Sequence, residues 1–420
     1  MQPERAKRKL TQGELGLILE VHGRFVARRP GGKRAVLNFV DFSGLNLVDA
    51  NLSEADLSGS CFDECAMTRI RLERANLFGC DLRHADLRGA IMTRADLRGV
   101  CLRGANLSQA DLTGADFRSG QIGIVSASKG LAVHRGGRER SGLDEAIFTG
   151  ATLDGSQFND VSACAADFSD CSMRGAILHG ANLRDANLSG AMLDGAEVSG
   201  AILDHANLTG ASLSGVDVSR ARSSHGADLS GSLQEPGQED VARAFELLEA
   251  LKGNHEWCES GGRHGAPAKV DGADLRPLGP LLRGLRLSAL SAKGACMVGL
   301  DLGDAQLQGA MLEGADLRGA RLRNADLRGA RMAGVNLTKA DLTDALFAPL
   351  PLSATRSSPV NLNRAQMRYA DMGGADLSEA VLDGADLRGA DLTGANVWNA
   401  SFKGARLQLV RGLELEVSAA

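Results

Sequence analysis

The 420-residue sequence predicts a solenoid of five-residue repeats. Three observations carry that prediction. A Leu, Phe or Met recurs at every fifth position, from Phe42 through Leu47, Leu52 and Leu57 to Phe117, without a break in register. Two residues before each centre stands a small or moderately apolar side chain, most often Ala, as at Ala55, Ala75, Ala95 and Ala115. Asp or Asn mostly precedes the centre, and Gly is common two residues after it. A step of five fits neither the two-residue period of a half-buried strand nor the 3.6-residue period of a helix.

The composition agrees. Aromatics are 4% of the residues, so the core must be small and aliphatic. The 52 glycines follow no G-X-Y period, which excludes collagen. A net charge of −5 argues against a generic nucleic-acid binder. No apolar run approaches the length of a membrane span. The eight cysteines are scattered and form no CxxC, which suits reduced thiols in a cytoplasmic protein. Glu14 and Glu20 interrupt the N-terminal apolar run, against a signal peptide.

A second run of centres extends from Phe148 to Val218, a third from Met297 to Phe347, and a fourth from Leu362 to Leu407. Units of the form A(D/N)LxG at this spacing resemble the pentapeptide-repeat family. The resemblance implies an all-β solenoid, a right-handed quadrilateral β-helix in which each pentapeptide makes one side of a square. It also implies a bacterial setting and no cofactor. Centre and small residue would point inward and the other three outward, with about 4.8 Å between coils. Leu57, Leu77, Leu97 and Phe117 would then stack inside, with Asp56, Asn76, Asp96 and Asp116 outside.

Taken in order, residues 1–36 read as a helical lead-in and 37–233 as a first β-helix. Residues 234–274 form a linker and second helical lead-in, and 275–420 a second β-helix with a tail. Both lead-ins show a helical apolar pattern, an aromatic, and a Gly-rich basic turn. His22 and Asn254 each stand three residues before the aromatic, Phe25 or Trp257. His22, Phe25 and Trp257 are expected to be structural cap residues, because an open coil end exposes unpaired strand groups. Residues 118–142 break the phase and read as a projecting loop. The segment 348–360 reads as a distorted coil or in-phase bulge, with Leu352 still on a centre.

The basic loop offers Lys129, His134, Arg135, Arg138 and Arg140 as partner-binding residues. The plainer alternative is a solvated insertion. HEWCE (255–259) is not HExxH, and GGRHG (261–265) lacks the GK(S/T) of a phosphate-binding loop. No paired-carboxylate or nucleophile constellation stands out, so catalysis and metal binding are not expected. The expected function is a non-catalytic scaffold for protein partners of unknown identity, without direct nucleic-acid binding. The family resemblance adds an alternative, a DNA mimic acting on DNA gyrase or topoisomerase. It also leaves room for a homodimer. Residues 1–140 carry 22 Lys and Arg against 16 Asp and Glu, and 141–233 only 4 against 12, so just one stretch leans toward mimicry.

Overall fold

The computed structural model describes residues 7–120, 122–126, 130–134 and 142–413, with backbone alone between 121 and 141. The chain divides into two compact units, Met1–Glu235 and Pro236–Ala420.

Each pentapeptide accounts for nearly all its backbone donors. Around Leu77, Ala75 N–H donates to Leu72 O, closing a turn, and Asn76 N–H donates back to Ala55 O in the preceding coil. Leu77 N–H donates forward to Asp96 O and Gly79 N–H to Arg98 O. The fifth donor, Phe78 N–H, goes to the Asn76 side chain at 3.1 Å. This explains the Asp/Asn before the centre: it is a backbone acceptor, an Asx turn repeated along the chain. Arg98 N–H to Asp96, Arg318 N–H to Asp316 and Thr343 N–H to Asp341 repeat it. Where Ser precedes the centre, the acceptor comes from the neighbouring coil. Asp144 accepts both Ser162 Oγ–H and Cys164 N–H, and Asp154 both Ser172 Oγ–H and Arg174 N–H.

Parallel bridges link each outer residue to one in the next coil, as in Asp56↔Asn76↔Asp96↔Asp116. Four bridges occur per coil of twenty residues, so each coil has four sides. All sixteen centres from Phe42 to Phe117 are buried, as are those from Phe148 to Leu213, from Met297 to Phe347 and from Leu362 to Leu392. Val218, the last centre expected in that run, is only partly buried and opens the 3-10 turn Val218–Arg220.

In unit 1, β1 (Arg8–Lys9) pairs in parallel with β2 (Val40–Asp41), and α1 (Gln12–Val26) follows it in sequence. A capping box of Thr11 and Glu14 starts α1. Leu10 and Leu15 are buried with the first coil. The insertion departs from the expected loop. Cys101 pairs with Gly142 and Asn106 with Ile147, so it adds twenty-one residues to one coil. Arg118 still belongs to the coil, because Gly99 N–H donates to its carbonyl. Leu143 is already a buried centre, one unit earlier than Phe148. Within the insertion, β3 (Ile122–Ser126) and β4 (Gly130–His134) form an antiparallel hairpin. A core cluster bridges the splice: Phe117 stacks on Phe158 at 4.7 Å and Phe148 on Phe168 at 4.9 Å.

In unit 2, α2 (Gln238–Glu259) buries Ala244, Leu248 and Leu251 with the first coil. Val270, Leu275, Leu282 and Leu287 are buried before Met297, so the core begins ahead of the third run. A 3-10 segment, Arg276–Leu282, adds two residues there, since Lys269 pairs with Ser291 but Arg286 with Gln306. Leu352 is not a centre. It is 58% exposed, in a hairpin of β5 (Leu350–Ser353) and β6 (Arg356–Ser358). Arg331 pairs with Asn361, so ten residues leave the coil and preserve the five-residue phase. The cause stands at Pro349. The equivalent corner residues Gly309 and Gly329 have φ of 64° and 68°, which proline cannot adopt.

Candidate interaction surface

On the outer faces a recurring ion pair is closed within one pentapeptide, and others link neighbouring coils, as in Arg69–Asp49 and Arg411–Asp391. Arg83 pairs with Asp81, Arg88 with Asp86, Arg318 with Asp316 and Arg388 with Asp386, each through Nε and Nη2. The Arg88 guanidinium holds the Asp86 carboxyl below its ordinary range, and Asp86 raises Arg88 in turn. These arginines are engaged by their own repeat, so this part of the Arg/Asp lattice is neutralised locally.

Of the expected partner-binding residues, Lys129, Arg135, Arg138 and Arg140 lie outside the described residues. His134 ends β4, its backbone opposite Ile122. The root of the insertion is tightly packed. A Cβ on Gly120 would lie 2.8 Å from Phe78 Cε2 and 3.1 Å from Gly99 N. The chain therefore leaves the coil flat against its corner, where only glycine fits. Arg98 lies 5.4 Å above the Phe78 ring, a cation–π contact. One coil row further, the Phe39 ring covers Gly59 and is 54% exposed. Phe78, Arg98 and Gly120 thus form a corner leading to the hairpin, and Phe39 is a separate exposed ring over Gly59. Phe39 and Phe78 were visible in sequence only as large apolar residues at outward positions.

The expected cap residues divide. His22 is buried, and its ring stacks on Phe25 at 5.6 Å. Phe25 and Trp257 are half-buried beside the turns at Gly32 and Gly262. Asn254, which holds the corresponding place in α2, is also buried.

A Ser, a His and an Asp do meet on unit 1. Ser223 Oγ–H donates to Asp204, and His225 Nδ1 lies 2.8 Å from the same Oγ. His225 N–H also donates to Asp204, which makes this the inter-coil Asx arrangement seen at Asp144. With its proton given to Asp204, the serine is not activated by the imidazole, and the His225 side chain is 89% exposed. The apolar space under α2 is lined by Leu251, Leu275, Leu287 and Met297 among others, with no polar group to orient a substrate. Among the described residues no group of three His, Cys, Asp or Glu could hold a metal ion, and no helix is long and apolar enough to cross a membrane.

Comparison with known proteins adds the following. None of the curated proteins compared matches the chain. Among solved structures, it is similar to HetL, a pentapeptide repeat protein involved in heterocyst differentiation regulation from Nostoc sp. strain PCC 7120. The two are 22% identical over 93% of this chain and 94% of that one, with a TM-score of 0.13. Full-length QnrB1, a plasmid-mediated fluoroquinolone resistance protein, is 18% identical over 51% of this chain and 98% of its own, with a TM-score of 0.18. A pentapeptide repeat protein of the Arabidopsis thaliana thylakoid lumen is 26% identical over 30% of this chain and 63% of its own, with a TM-score of 0.13. Family assignment rests on the repeats themselves. The pentapeptide-repeat family model matches residues 33–121, 143–220, 286–344 and 360–408, well over half the chain. The chain belongs to the pentapeptide-repeat family.

Proposed function

We propose that this chain is a non-catalytic scaffold presenting rigid faces and one basic insertion to protein partners. In this reading 37–233 and 275–420 are two right-handed quadrilateral β-helices, with α1 and α2 as caps on their first coils. The observation that carries it is the root of the insertion. Gly120 is pressed against Phe78 and Gly99, so the following hairpin starts from a fixed position on a repetitive wall. Binding segments on rigid scaffolds lose less freedom on association than free loops do. The basic residues Lys129, His134, Arg135, Arg138 and Arg140 would then meet an acidic partner, with Phe39 and Phe78 supplying apolar contact. A cytoplasmic location accords with the buried thiols of Cys65 and Cys80, which burial pushes up to about 11 and about 12. The last coil of unit 2 leaves Val397, Phe402 and Leu407 half-buried and Trp398 exposed, which favours a homodimer formed there.

The test is capture of lysate proteins on the full chain and on a variant lacking 121–141. A partner retained by the first and lost by the second is expected. Equal retention would remove the insertion from the interface, and no enrichment on either would count against the scaffold. A gyrase supercoiling assay with the same protein is expected to show no change. Inhibition or protection would favour the DNA-mimic reading, which the acidic stretch 141–233 supports.

A further inference from the structure

We propose that the lead-in of unit 1 is held by an acid-sensitive latch at His22, which unit 2 replaces with an acid-insensitive asparagine. The two sites correspond bond for bond. Ala35 N–H donates to His22 Nδ1 at 3.0 Å, and His22 Nε2 lies 3.0 Å from the Ser53 carbonyl. Ala268 N–H donates to Asn254 Oδ1 at 3.1 Å, and Asn254 Nδ2 donates to the Ser288 carbonyl at 3.1 Å. His22 and Asn254 are both fully buried. Each side chain ties its helix to the start of the first coil and to the coil after it. The correspondence extends to Gly32 and Gly265, three residues before Ala35 and Ala268. A Cβ there would lie 2.3 Å from Phe25 N and 3.1 Å from Trp257 N respectively.

The bonds select one state of the ring. Nδ1 accepts, so Nε2 carries the proton and the imidazole is neutral. A second proton would set an Nδ1–H against the Ala35 N–H, donor facing donor, in a buried place. The surrounding charges do not reverse this. Burial dominates and holds His22 below its ordinary value of 6.5. Arg34, on the turn after α1, works in the same direction, while the Ser53 and Lys33 backbone and Glu54 on the coil oppose it. Glu20 and Arg24 of α1 are paired with each other, and Glu73 is engaged by Ser53 Oγ and Arg71. Asn254 makes the same two bonds and carries no proton to gain.

The sign follows from proton binding. With His22 depressed in the closed state, the opened state binds more protons. The latch contributes its full stabilisation above pH 6.5 and loses it as pH falls through the lower closed-state value. Opening would uncover Leu10, Leu15 and the first-coil core at Phe42. Unit 2 has a histidine nearby, His255, which accepts Arg286 N–H through Nδ1. Its Nε2 faces Glu259 at 3.5 Å and its side chain is 29% exposed, whereas His22 is fully buried.

The test is hydrogen exchange on the full chain between pH 7.5 and pH 5, corrected for intrinsic rates, read over 12–26 and 238–259. In the native protein, α1 is expected to lose protection on acidification, by up to about tenfold per pH unit for one proton. In His22→Asn, α1 should hold its protection. In Asn254→His, α2 should gain an acid response greater than that of the native chain. An undiminished acid response of α1 in His22→Asn would overturn the proposal. So would an α2 response in Asn254→His equal to that of the native protein. If His22→Asn does not fold, the native chain and Asn254→His decide the matter alone.

Discussion

Replacing Phe158 with alanine is expected to destabilise unit 1 by about 3–5 kcal/mol, the range for emptying a buried aromatic site. Phe158 is 1% exposed and stacks on Phe117, with Phe168 edge-on at 6.2 Å. Two terms add. The apolar surface of the ring is lost, and the cavity collapses little, because the rings around it are carried on backbone rungs fixed by inter-coil hydrogen bonds. The location magnifies the effect. These rings join the coil before the insertion to the coil after it, where Asp116 pairs with Gln157 across the added residues. In a solenoid, stability is a sum of repeat and nearest-neighbour terms, so the weakest junction decides where unfolding begins. Denaturant unfolding should show a loss confined to the unit 1 transition. A loss under about 1 kcal/mol would mean that the cluster is loosely packed.

Gly265→Ala should have the second large effect, about 2–4 kcal/mol, through overpacking and backbone strain. Gly265 has φ of 75°, and a Cβ there would stand 2.0 Å from the Gly253 carbonyl oxygen and 3.1 Å from Trp257 N. Both obstacles are backbone of α2, so no side chain can swing aside. Relief requires α2 to move, which breaks the bonds of Asn254 to Ala268 and Ser288. Proteolysis within 238–268 should rise sharply while the coils near Leu322 stay resistant. Native-like resistance would show that α2 is not clasped by this turn.

The repeat core was legible because a single physical rule generates it. One centre and one small residue per five must point inward, so Leu317, Leu322, Leu327 and Met332 could be placed by counting, and all are fully buried. The role of the preceding Asp was not legible. Asp316 reads as an outward charge until the backbone is followed, and only then does it emerge as the acceptor for Arg318 N–H. Apolar phase also shows position within a repeat but not within a coil. Leu352 keeps the five-residue phase yet lies in a hairpin, because an excursion of ten residues returns to the same phase. The matched spacing of His22 and Asn254 from their aromatics was visible in sequence. Their matched hydrogen bonds were not, since those depend on Ser53 and Ser288, which lie more than thirty residues away. The corner at Phe78 escaped for a similar reason, because outward apolar residues acquire meaning only from their neighbours in other coils.

The register of the coils is tested most directly by excising the hairpin of unit 2 and measuring thermal unfolding. Removing Leu350–Pro359 joins Pro349 to Val360, which is fully buried at a small-residue position, and places Leu362 on the next centre. Pro349 is replaced by glycine, because the restored corner needs the positive φ found at Gly329. This ten-residue excision is expected to fold, with unit 2 unfolding within a few degrees of the native chain. Removing nine residues instead, Leu350–Ser358, shifts every later centre out of phase and should abolish the coils from Leu362 onward. Two equally stable excisions, or loss of folding with ten alone, would contradict the register.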